Sequence, residues 1–303
     1  VVSTQSTGKP MFAVLSMMRP LYQHGDVERI RQIPGLTWTP AIPEAFKDMT
    51  LEEFKMRLYP VDLDYVKSVK PTEPQPVRAD LPLEFDSRTE WPDCGNPEIR
   101  NQLQCGSCWS FSATGEFSDR RCIAGLDKKR VQYSEEYPVA CDTKDKGCMG
   151  GSVLFVHQFL KKTGVPTAAC VSYKSGDGNA KPCPTKCDDG SELKLVKAKG
   201  FRLMEMQPEK FMEEIMAHGP IQGQFFVFED FKLYSKGIYK HVEGEFLGGH
   251  AIIHAGWGEE NGVKYWLVRN SWGEGWGENG YFRIVRGENN SGIEMAAMAA
   301  KFE

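Results

Sequence analysis

The sequence predicts an α+β fold, with a helical lobe packed on a β lobe behind a separate N-terminal segment. The first observation is apolar spacing typical of helices, over residues 108–125, 152–164 and 208–218. The second is a later set of runs rich in β-branched and aromatic residues, which predicts strands over 221–228, 250–257, 264–270 and 281–285. Helices followed by strands are typical of the α+β class. The third is that every cysteine lies after residue 93, which sets the first 80 residues apart.

The N-terminal segment has its own organisation. Residues 1–10 are polar and unpatterned, which indicates a leader or a disordered end. Thr50 and Glu53 form a capping-box pattern in front of an apolar face that reaches Leu58, so a short helix is predicted there. Prolines between residues 67 and 82 predict an extended connector. We therefore expect these units: residues 1–10, residues 11–80, and a domain over 81–303 with its helical lobe mainly in 92–200 and its β lobe mainly in 201–303.

The overall composition excludes several classes of protein. Hydrophobic residues make up 41% and charged residues 26% of the chain, which is ordinary for a globular protein. The net charge of −4 is too small to indicate nucleic acid or an anionic membrane as a partner. No apolar run approaches the roughly 20 residues that a membrane-spanning helix needs.

The nine cysteines indicate a disulfide framework with one thiol left over. Cys105 and Cys108 form a Cys-x-x-Cys pair, as in thioredoxin-like redox motifs, but no βαβ alternation surrounds them. The paired Cys-x-x-Cys spacing of zinc ribbons is also missing. Structural disulfides are therefore favoured over a redox or zinc site, and we expect no metal and no other cofactor.

Cys108 has the surroundings of an activated nucleophile. It begins a predicted helix, where free backbone N–H groups and the helix dipole favour a thiolate. Such a nucleophile needs a base and a third group that orients the base. His250 follows two glycines at the start of an apolar strand and lies 142 residues beyond Cys108. Asn270 ends another strand, 162 residues beyond Cys108. A lone histidine is more often a core residue, so these assignments depend on the surrounding motifs.

Those motifs are Cys-Gly-Ser-Cys-Trp at 105–109, Gly-His-Ala at 249–251 and Asn-Ser-Trp-Gly at 270–273. Together and in this order they resemble the papain family of cysteine peptidases. The resemblance implies a papain-like two-lobe fold, with a helical left lobe, a β-barrel-like right lobe and an N-terminal pro-segment.

The same resemblance implies a role for each residue of the site. Cys108 is the nucleophile, His250 is its ion-pair partner and general acid, and Asn270 orients the imidazole. Gln102 matches the glutamine of the oxyanion hole. Trp272 is expected to shield the hydrogen bond between His250 and Asn270 from water.

Nearly all of residues 31–298 resembles the cathepsin B branch of this family, as a pro-enzyme of a protozoan type. Residues 81–88 resemble a mature N-terminus and residues 38–58 the short pro-segment of this branch, with Trp38, Phe46 and Phe54 as candidate anchors. The implied substrate contacts are Gly106, Gly150, Gly151, Gly249, Trp272 and Ala296. The implied disulfides are Cys94–Cys122, Cys105–Cys148, Cys141–Cys183 and Cys170–Cys187, whereas spacing alone leaves many pairings open.

Two departures from the cathepsin B pattern bear on specificity. Only 12 residues, none of them histidine, separate Cys170 from Cys183, where this branch carries an occluding loop whose paired histidines hold a C-terminal carboxylate. Ala296 occupies the position of a glutamate at the base of the S2 pocket, although Glu294 lies two residues away. We expect an endopeptidase with an open primed side and no advantage for arginine at P2.

The expected function is that of a cysteine endopeptidase, held inactive as a zymogen by residues 11–80. Its expected partners are protein and peptide substrates and its own pro-segment, and it is expected to be a monomer of the secretory pathway, either secreted or in a lysosome-like or vacuolar compartment. Acid is expected to loosen the pro-segment if Glu52 and Asp62 form pairs in the folded state. The alternative is a papain-fold binding or structural protein without catalysis.

Overall fold

The computed structural model describes residues 19–60, 76, 78 and 80–302. The leader predicted for residues 1–10, most of the connector predicted for 67–82, and Asp62 lie outside these ranges. Within them, no helix has the length and apolar character needed to cross a bilayer.

Residues 19–60, called here the N-terminal segment, form short elements that pack on the β lobe. They are α1 (Asp26–Arg31), β1 (Trp38–Pro40), a 3₁₀ turn (Glu44–Phe46) and α2 (Leu51–Lys55). The predicted capping box is present, since the Thr50 hydroxyl accepts from the Glu53 N–H at 3.2 Å and Glu53 accepts from the Thr50 N–H at 2.8 Å. The helix ends at Lys55, earlier than the apolar face suggests.

The predicted helices of the remaining chain are confirmed to within a few residues. They are α4 (Cys108–Ile123), α6 (Val153–Lys162) and α7 (Pro208–His218). Shorter elements lie before and between them: β2 (Phe85–Asp86), α3 (Ser87–Glu90), α5 (Glu136–Cys141) and 3₁₀ turns at Gly147–Met149 and Ser175–Asp177.

Helix α4 is buried along almost its whole length and places Cys108 at its first position. Its hydroxyl side chains bond back to carbonyls one turn earlier, as Ser112 does to Cys108 at 2.7 Å and Thr114 to Ser110 at 2.9 Å. Because the helix is largely buried, these internal bonds satisfy hydroxyl groups that would otherwise lack a hydrogen-bond partner.

The strands form one mixed sheet. They are β3 (Gly200–Glu205), β4 (Ile221–Phe228), β5 (Tyr234–Tyr239), β6 (Phe246–Glu260), β7 (Val263–Arg269), β8 (Tyr281–Val285) and β9 (Ala296–Lys301). Their order is β1-β5-β8-β7-β6-β4-β9-β3, with β2 paired to β6. Only the β5–β8 pair is parallel among the paired strands of the described chain. All four predicted strands are present, whereas β3, β5 and β9 were not predicted.

Two main hydrophobic cores correspond to the two lobes. The helical core is built around α4 and α6, and includes Trp109, Phe117 and Leu160. Ala300 and Phe302, from the end of the chain, also pack in it. The larger core lies in the β lobe, and the N-terminal segment adds apolar side chains to it: Leu21, Ile30, Trp38, Phe46, Leu51, Phe54 and Leu58.

The structure contains four disulfides with the pairing that the family resemblance implies: Cys94–Cys122, Cys105–Cys148, Cys141–Cys183 and Cys170–Cys187. Cys108 is the one cysteine left free. All nine cysteines lie within the described residues, so this accounts for every thiol.

Candidate active site

Cys108 lies in the cleft between the lobes and is fully buried. Backbone N–H groups surround its sulfur, from Ala251, Trp109 and Cys108 itself. Burial nonetheless raises the pKa of Cys108 to about 12, because desolvation outweighs these donors. In this covered state burial therefore favours the neutral thiol.

His250 enters the cleft from β6, one residue before the N–H group that contacts the sulfur. Its Nε2 atom lies 2.7 Å from Asn270 Oδ1, and its Nδ1 atom has no hydrogen-bond partner among the described residues. Burial lowers the pKa of His250 to about 4, the Asn270 hydrogen bond opposes that effect, and the Arg57 charge adds to it. Burial therefore favours the neutral imidazole while the cleft is covered.

Asn270 and Trp272 hold this imidazole in place. Asn270 follows the end of β7, and its Oδ1 also accepts the Ser271 N–H at 2.7 Å. The Trp272 ring lies 4.7 Å from the imidazole, centroid to centroid, and is almost completely buried. A hydrogen bond kept from water in this way fixes the ring orientation more firmly than an exposed one.

Gln102 is fully buried, and its side-chain amide donates to a peptide carbonyl of the N-terminal segment. Its Nε2 donates to the Arg57 carbonyl at 2.8 Å and to the Cys105 carbonyl at 2.8 Å. Its Oε1 accepts from the Ser271 hydroxyl at 2.7 Å, so the amide is held from both ends. The Arg57 carbonyl comes from the N-terminal segment and stands in for a bound peptide group.

The end of the N-terminal segment fills the cleft beside these residues. Tyr59 forms an antiparallel bridge with Gly249, with N···O distances of 3.0 and 2.8 Å. A Cβ added to Gly150 would lie 2.7 Å from Tyr59 Cβ. A Cβ added to Gly106 would lie 3.1 Å from the Leu58 carbonyl oxygen. Gly150 and Gly106, predicted as substrate contacts, therefore allow the segment to approach because they lack side chains, whereas Gly249 contacts it through backbone hydrogen bonds.

Gly151 lacks a side chain for a different reason. A Cβ there would come within 2.5 Å of the Trp109 ring, so Gly151 allows its loop to pack on α4. The role predicted for Gly151 as a substrate contact stays a prediction.

Arg57 is a charged residue in an unusual place. It is 5% exposed, its guanidinium carbon lies 4.7 Å from the centroid of the Phe46 ring, and its Nε and Nη1 atoms lack partners among the described residues. Burial lowers the pKa of Arg57 to about 10. Nothing in the sequence marks Arg57 as a buried residue, since an arginine in a charged stretch ordinarily faces solvent.

Aromatic side chains anchor the segment next to the imidazole. Phe46 and Phe54 pack edge-on against Trp272, with centroid distances of 5.6 and 5.4 Å. Trp38 packs separately in the β lobe, 5.4 Å from the Tyr239 ring, and its Nε1 donates to the Lys240 carbonyl at 3.1 Å. We call Phe46, Phe54 and Trp272 the aromatic cluster.

Comparison with known proteins places this site in a family. Residues 81–301 match the family described as papain family cysteine protease. The chain belongs to the papain family of cysteine proteases. The papain-family resemblance carried by the sequence motifs is thereby confirmed.

Relatives place the chain among cathepsin B-like members of the papain family. It is 43% identical over 285 residues to "Cathepsin B-like CP2" of Giardia intestinalis, covering 91% of this chain and 94% of the relative. It is 37% identical over 279 residues to the "Gut-specific cysteine proteinase" of Caenorhabditis elegans, covering 84% of each. The chain is thus a cathepsin B-like cysteine peptidase.

Solved papain-family structures agree with this assignment. "ProCathepsin B S9 from Trypanosoma congolense" matches with a TM-score of 0.85 at 30% identity, covering 94% of this chain and 99% of that one. The digestive procathepsin L2 proteinase of Tenebrio molitor larval midgut matches with a TM-score of 0.72 at 30% identity, covering 90% and 87%. Both of these proteins are described as proforms.

Glu294 and Ala296, the two residues considered for the S2 pocket, lie next to and at the start of β9. Glu294 is 3% exposed and accepts from Trp266 Nε1 at 2.9 Å and from the Gly287 N–H at 2.6 Å. The Glu294 carboxylate is therefore already hydrogen-bonded inside the β lobe. Ala296 is partly exposed at the start of β9.

The short loop between Cys170 and Cys183 lies against the helical lobe. Ser175 donates its hydroxyl to the buried Glu136 at 2.8 Å, and Gln104 donates its N–H to the Gly176 carbonyl at 3.1 Å. The loop is held close to the lobe surface by these bonds.

Among the described residues, no group of three or more His, Cys, Asp or Glu side chains could hold a metal ion.

Proposed function

We propose that this chain is the zymogen of a cysteine endopeptidase that hydrolyses peptide bonds through a thioester. The observation that carries the proposal is a peptide carbonyl, that of Arg57, held by Gln102 beside a buried free cysteine and a His250–Asn270 pair. Donors aimed at a carbonyl oxygen next to a nucleophile are what acyl transfer requires.

In the proposed mechanism the Cys108 thiolate attacks the carbonyl carbon of the substrate, and the oxygen takes up the negative charge. Gln102 Nε2 and the Cys108 backbone N–H stabilise that oxyanion. The His250 imidazolium then donates its proton to the leaving amine, which leaves a thioester on Cys108. His250 next removes a proton from water, the hydroxide attacks the thioester, and the carboxylic acid product departs as Cys108 is regenerated.

Uncovering the cleft is proposed to create the reactive ion pair. With the N-terminal segment in place, burial favours the neutral thiol and the neutral imidazole. Removing the segment admits water and takes away the Arg57 charge, and both changes favour a proton on His250. The N-terminus of α4 then stabilises the thiolate.

The N-terminal segment is proposed to be part of an inhibitory pro-segment spanning residues 11–80, with the peptidase domain over 81–303. Its contacts support this, because Tyr59 pairs with Gly249 and the Arg57 carbonyl takes the place proposed for a substrate carbonyl. As the family resemblance implies, the segment is proposed to run opposite to a substrate, so that it blocks Cys108 without being cut.

The cleft is proposed to be open on its primed side. The loop between Cys170 and Cys183 contains no histidine and bonds to the helical lobe through Ser175 and Gly176. It therefore offers no imidazole to hold a C-terminal carboxylate. The Glu294 carboxylate is already hydrogen-bonded to Trp266, and Ala296 carries no charge. We therefore propose that neither residue favours arginine at P2.

The test uses the chain after removal of residues 1–80 and a long peptide substrate with both internal and C-terminal bonds. We expect internal cleavage, and stoichiometric labelling of Cys108 by a thiol-directed epoxide. Predominant release of C-terminal dipeptides would contradict the open primed side. Absence of both labelling and cleavage would instead support the alternative, a papain-fold binding or structural protein.

We propose that acid weakens the docking of the pro-segment mainly by protonating Asp26. Asp26 lies 3.3 Å from Lys232 of the β lobe and 3.0 Å from Arg29, which also reaches Glu243 at 2.7 Å. Burial opposes its charge, but the Gln23 N–H and these cations hold the pKa of Asp26 below its ordinary value of 3.8. Glu52, expected to pair, is exposed and forms no ion pair within the described part of the chain.

The pKa of Asp26 is lower when the segment is docked than when it is undocked. The ionised Asp26 therefore stabilises docking fully at pH values above its undocked pKa, and this stabilisation is lost as pH falls through its docked pKa. We expect the epoxide-labelling rate of the full chain, divided by that of the processed enzyme, to rise as pH falls from 5 to 3. Asp26→Asn should raise this ratio at pH 7 and flatten its rise, whereas Glu52→Gln should do neither. An equal ratio at every pH would count against the proposal.

The proposed location is the secretory pathway, either secreted or in a lysosome-like or vacuolar compartment. Four disulfides in one domain support this, because disulfides persist in oxidising compartments and are rare in the cytosol. The proposed partners are protein and peptide substrates, with the pro-segment as an intramolecular inhibitor of a monomer.

A further inference from the structure

The Tyr59 side chain reaches a polar group on the wall of the cleft. Its hydroxyl donates to Gln224 Oε1 at 2.9 Å, while its backbone pairs with Gly249, next to His250. Burial raises the pKa of Tyr59 well above its ordinary value, so the phenol stays protonated and remains a donor. The segment that covers the site therefore presents an aromatic hydroxyl to an amide.

Strand register places Gln224 beside Ala296. On β4, Gln222 pairs with Met298 and Gly223 pairs with Ala297 of β9, so the next position opposite Gln224 is Ala296. Residues directly opposite on neighbouring strands have Cβ atoms about 5 Å apart. Alanine carries only a methyl group, so in this register Ala296 fills little of the volume beside the Gln224 amide.

Gln224 also faces the cleft by strand alternation. Gln222, two residues earlier on the same face, donates from its Nε2 to the Trp109 carbonyl at 2.9 Å and to the Ser112 hydroxyl at 2.7 Å. That face of β4 therefore points toward the start of α4, where Cys108 lies. Gln222 is hydrogen-bonded to α4, whereas the Gln224 oxygen is hydrogen-bonded to the N-terminal segment, which processing removes.

Removing the N-terminal segment leaves this acceptor without its phenol. A side chain that ends in an apolar group would displace water from the Gln224 oxygen without replacing the hydrogen bond, whereas a phenol restores it. The space beside Ala296 and the amide together suit an aromatic ring with a hydroxyl at its far end.

We propose that Gln224 is a specificity-determining residue that, with Ala296, forms a pocket favouring tyrosine over phenylalanine at P2 of peptide substrates. This inference rests on the proposed peptidase function. The hydrogen bond from the substrate hydroxyl to Gln224 Oε1 replaces the one that Tyr59 makes in the zymogen. One net hydrogen bond of this kind corresponds to a preference of about tenfold in kcat/KM.

The test measures kcat/KM of the processed enzyme on three peptides that differ only at P2: tyrosine, phenylalanine and O-methyltyrosine. O-methyltyrosine keeps the ring and the oxygen but cannot donate a hydrogen bond. We expect tyrosine to exceed both others by about tenfold, and Gln224→Leu to bring the tyrosine-to-phenylalanine ratio to about one. Gln224→Met, of closer length, serves if the leucine variant does not fold.

The outcomes separate this inference from the proposed function. Cleavage of all three peptides at equal rates by the processed enzyme would overturn the role of Gln224 and leave the peptidase proposal intact. A tyrosine preference that persists in both Gln224 variants would also overturn it. If none of the three peptides is cleaved and Cys108 resists the epoxide, the proposed function fails, and the inference fails with it.

Discussion

Cys108→Ala in the processed enzyme is expected to lower kcat/KM by about 10,000-fold or more, because no other thiol in the chain is free to form the thioester. The buried site at the start of α4 accepts the smaller alanine side chain, so the fold should persist. Initial rates on a peptide substrate, with circular dichroism to verify folding, measure the effect. Residual hydrolysis within tenfold of the unsubstituted enzyme would contradict the assignment of Cys108 as nucleophile.

His254 lies on β6, the strand that carries His250, and provides a matched control for His250→Ala. His250→Ala should cause a loss comparable to that of Cys108→Ala, and the double variant should lose little more, because the two residues act as a unit. His254 is also buried on β6, but packs against Trp266 with ring centroids 5.1 Å apart. His254→Gln should therefore reduce stability and leave kcat of the folded enzyme close to that of the parent.

Phe54→Ala in the full chain is expected to expose Cys108 without any cleavage. Phe54 is fully buried and belongs to the aromatic cluster, with its ring centroid 5.4 Å from Trp272 and 5.9 Å from Phe46. Truncating such a phenylalanine costs about 3–5 kcal/mol, which raises the open population by about 100-fold to 4,000-fold. The epoxide-labelling rate of the full chain at neutral pH, relative to that of the processed enzyme, should rise by the same factor.

The control for Phe54→Ala lies in the same helix. Glu52→Ala changes an exposed residue of α2, so it tests whether helix content alone explains a faster reaction. We expect Glu52→Ala to label at the parent rate. If Phe54→Ala labels no faster than the parent, the aromatic cluster does not hold the segment over the cleft.

Local sequence patterns predicted the parts of the fold that depend on near neighbours. The capping box at Thr50 and Glu53, and the start of α7 at Pro208, are patterns within one helical turn, and both are present. Strand β9 is Ala-Ala-Met-Ala-Ala-Lys, and alanine favours helices, so its place between β4 and β3 could not be read locally. Pairing with two neighbouring strands overrides that preference.

The residues of the candidate site were predictable because motif chemistry restricts them. A thiol at a helix start, a histidine and an asparagine each carry a group that few other residues can supply, and their roles in catalysis remain predictions. Arg57, Tyr59 and Gln224 gave no such signal. Nothing in their neighbourhoods distinguishes them from an ordinary surface arginine, a core tyrosine or a polar strand residue.

The sequence by itself determined the family, the α+β class and the set of reactive side chains, because residue type and short-range spacing suffice for each. Only the tertiary structure decided what covers the cleft and what its wall recognises. The Gln102–Arg57 and Tyr59–Gln224 hydrogen bonds join residues 45 and 165 positions apart. Such contacts depend on the path of the whole chain, which brings residues far apart in sequence together in a buried cleft where polar groups must find partners within the protein.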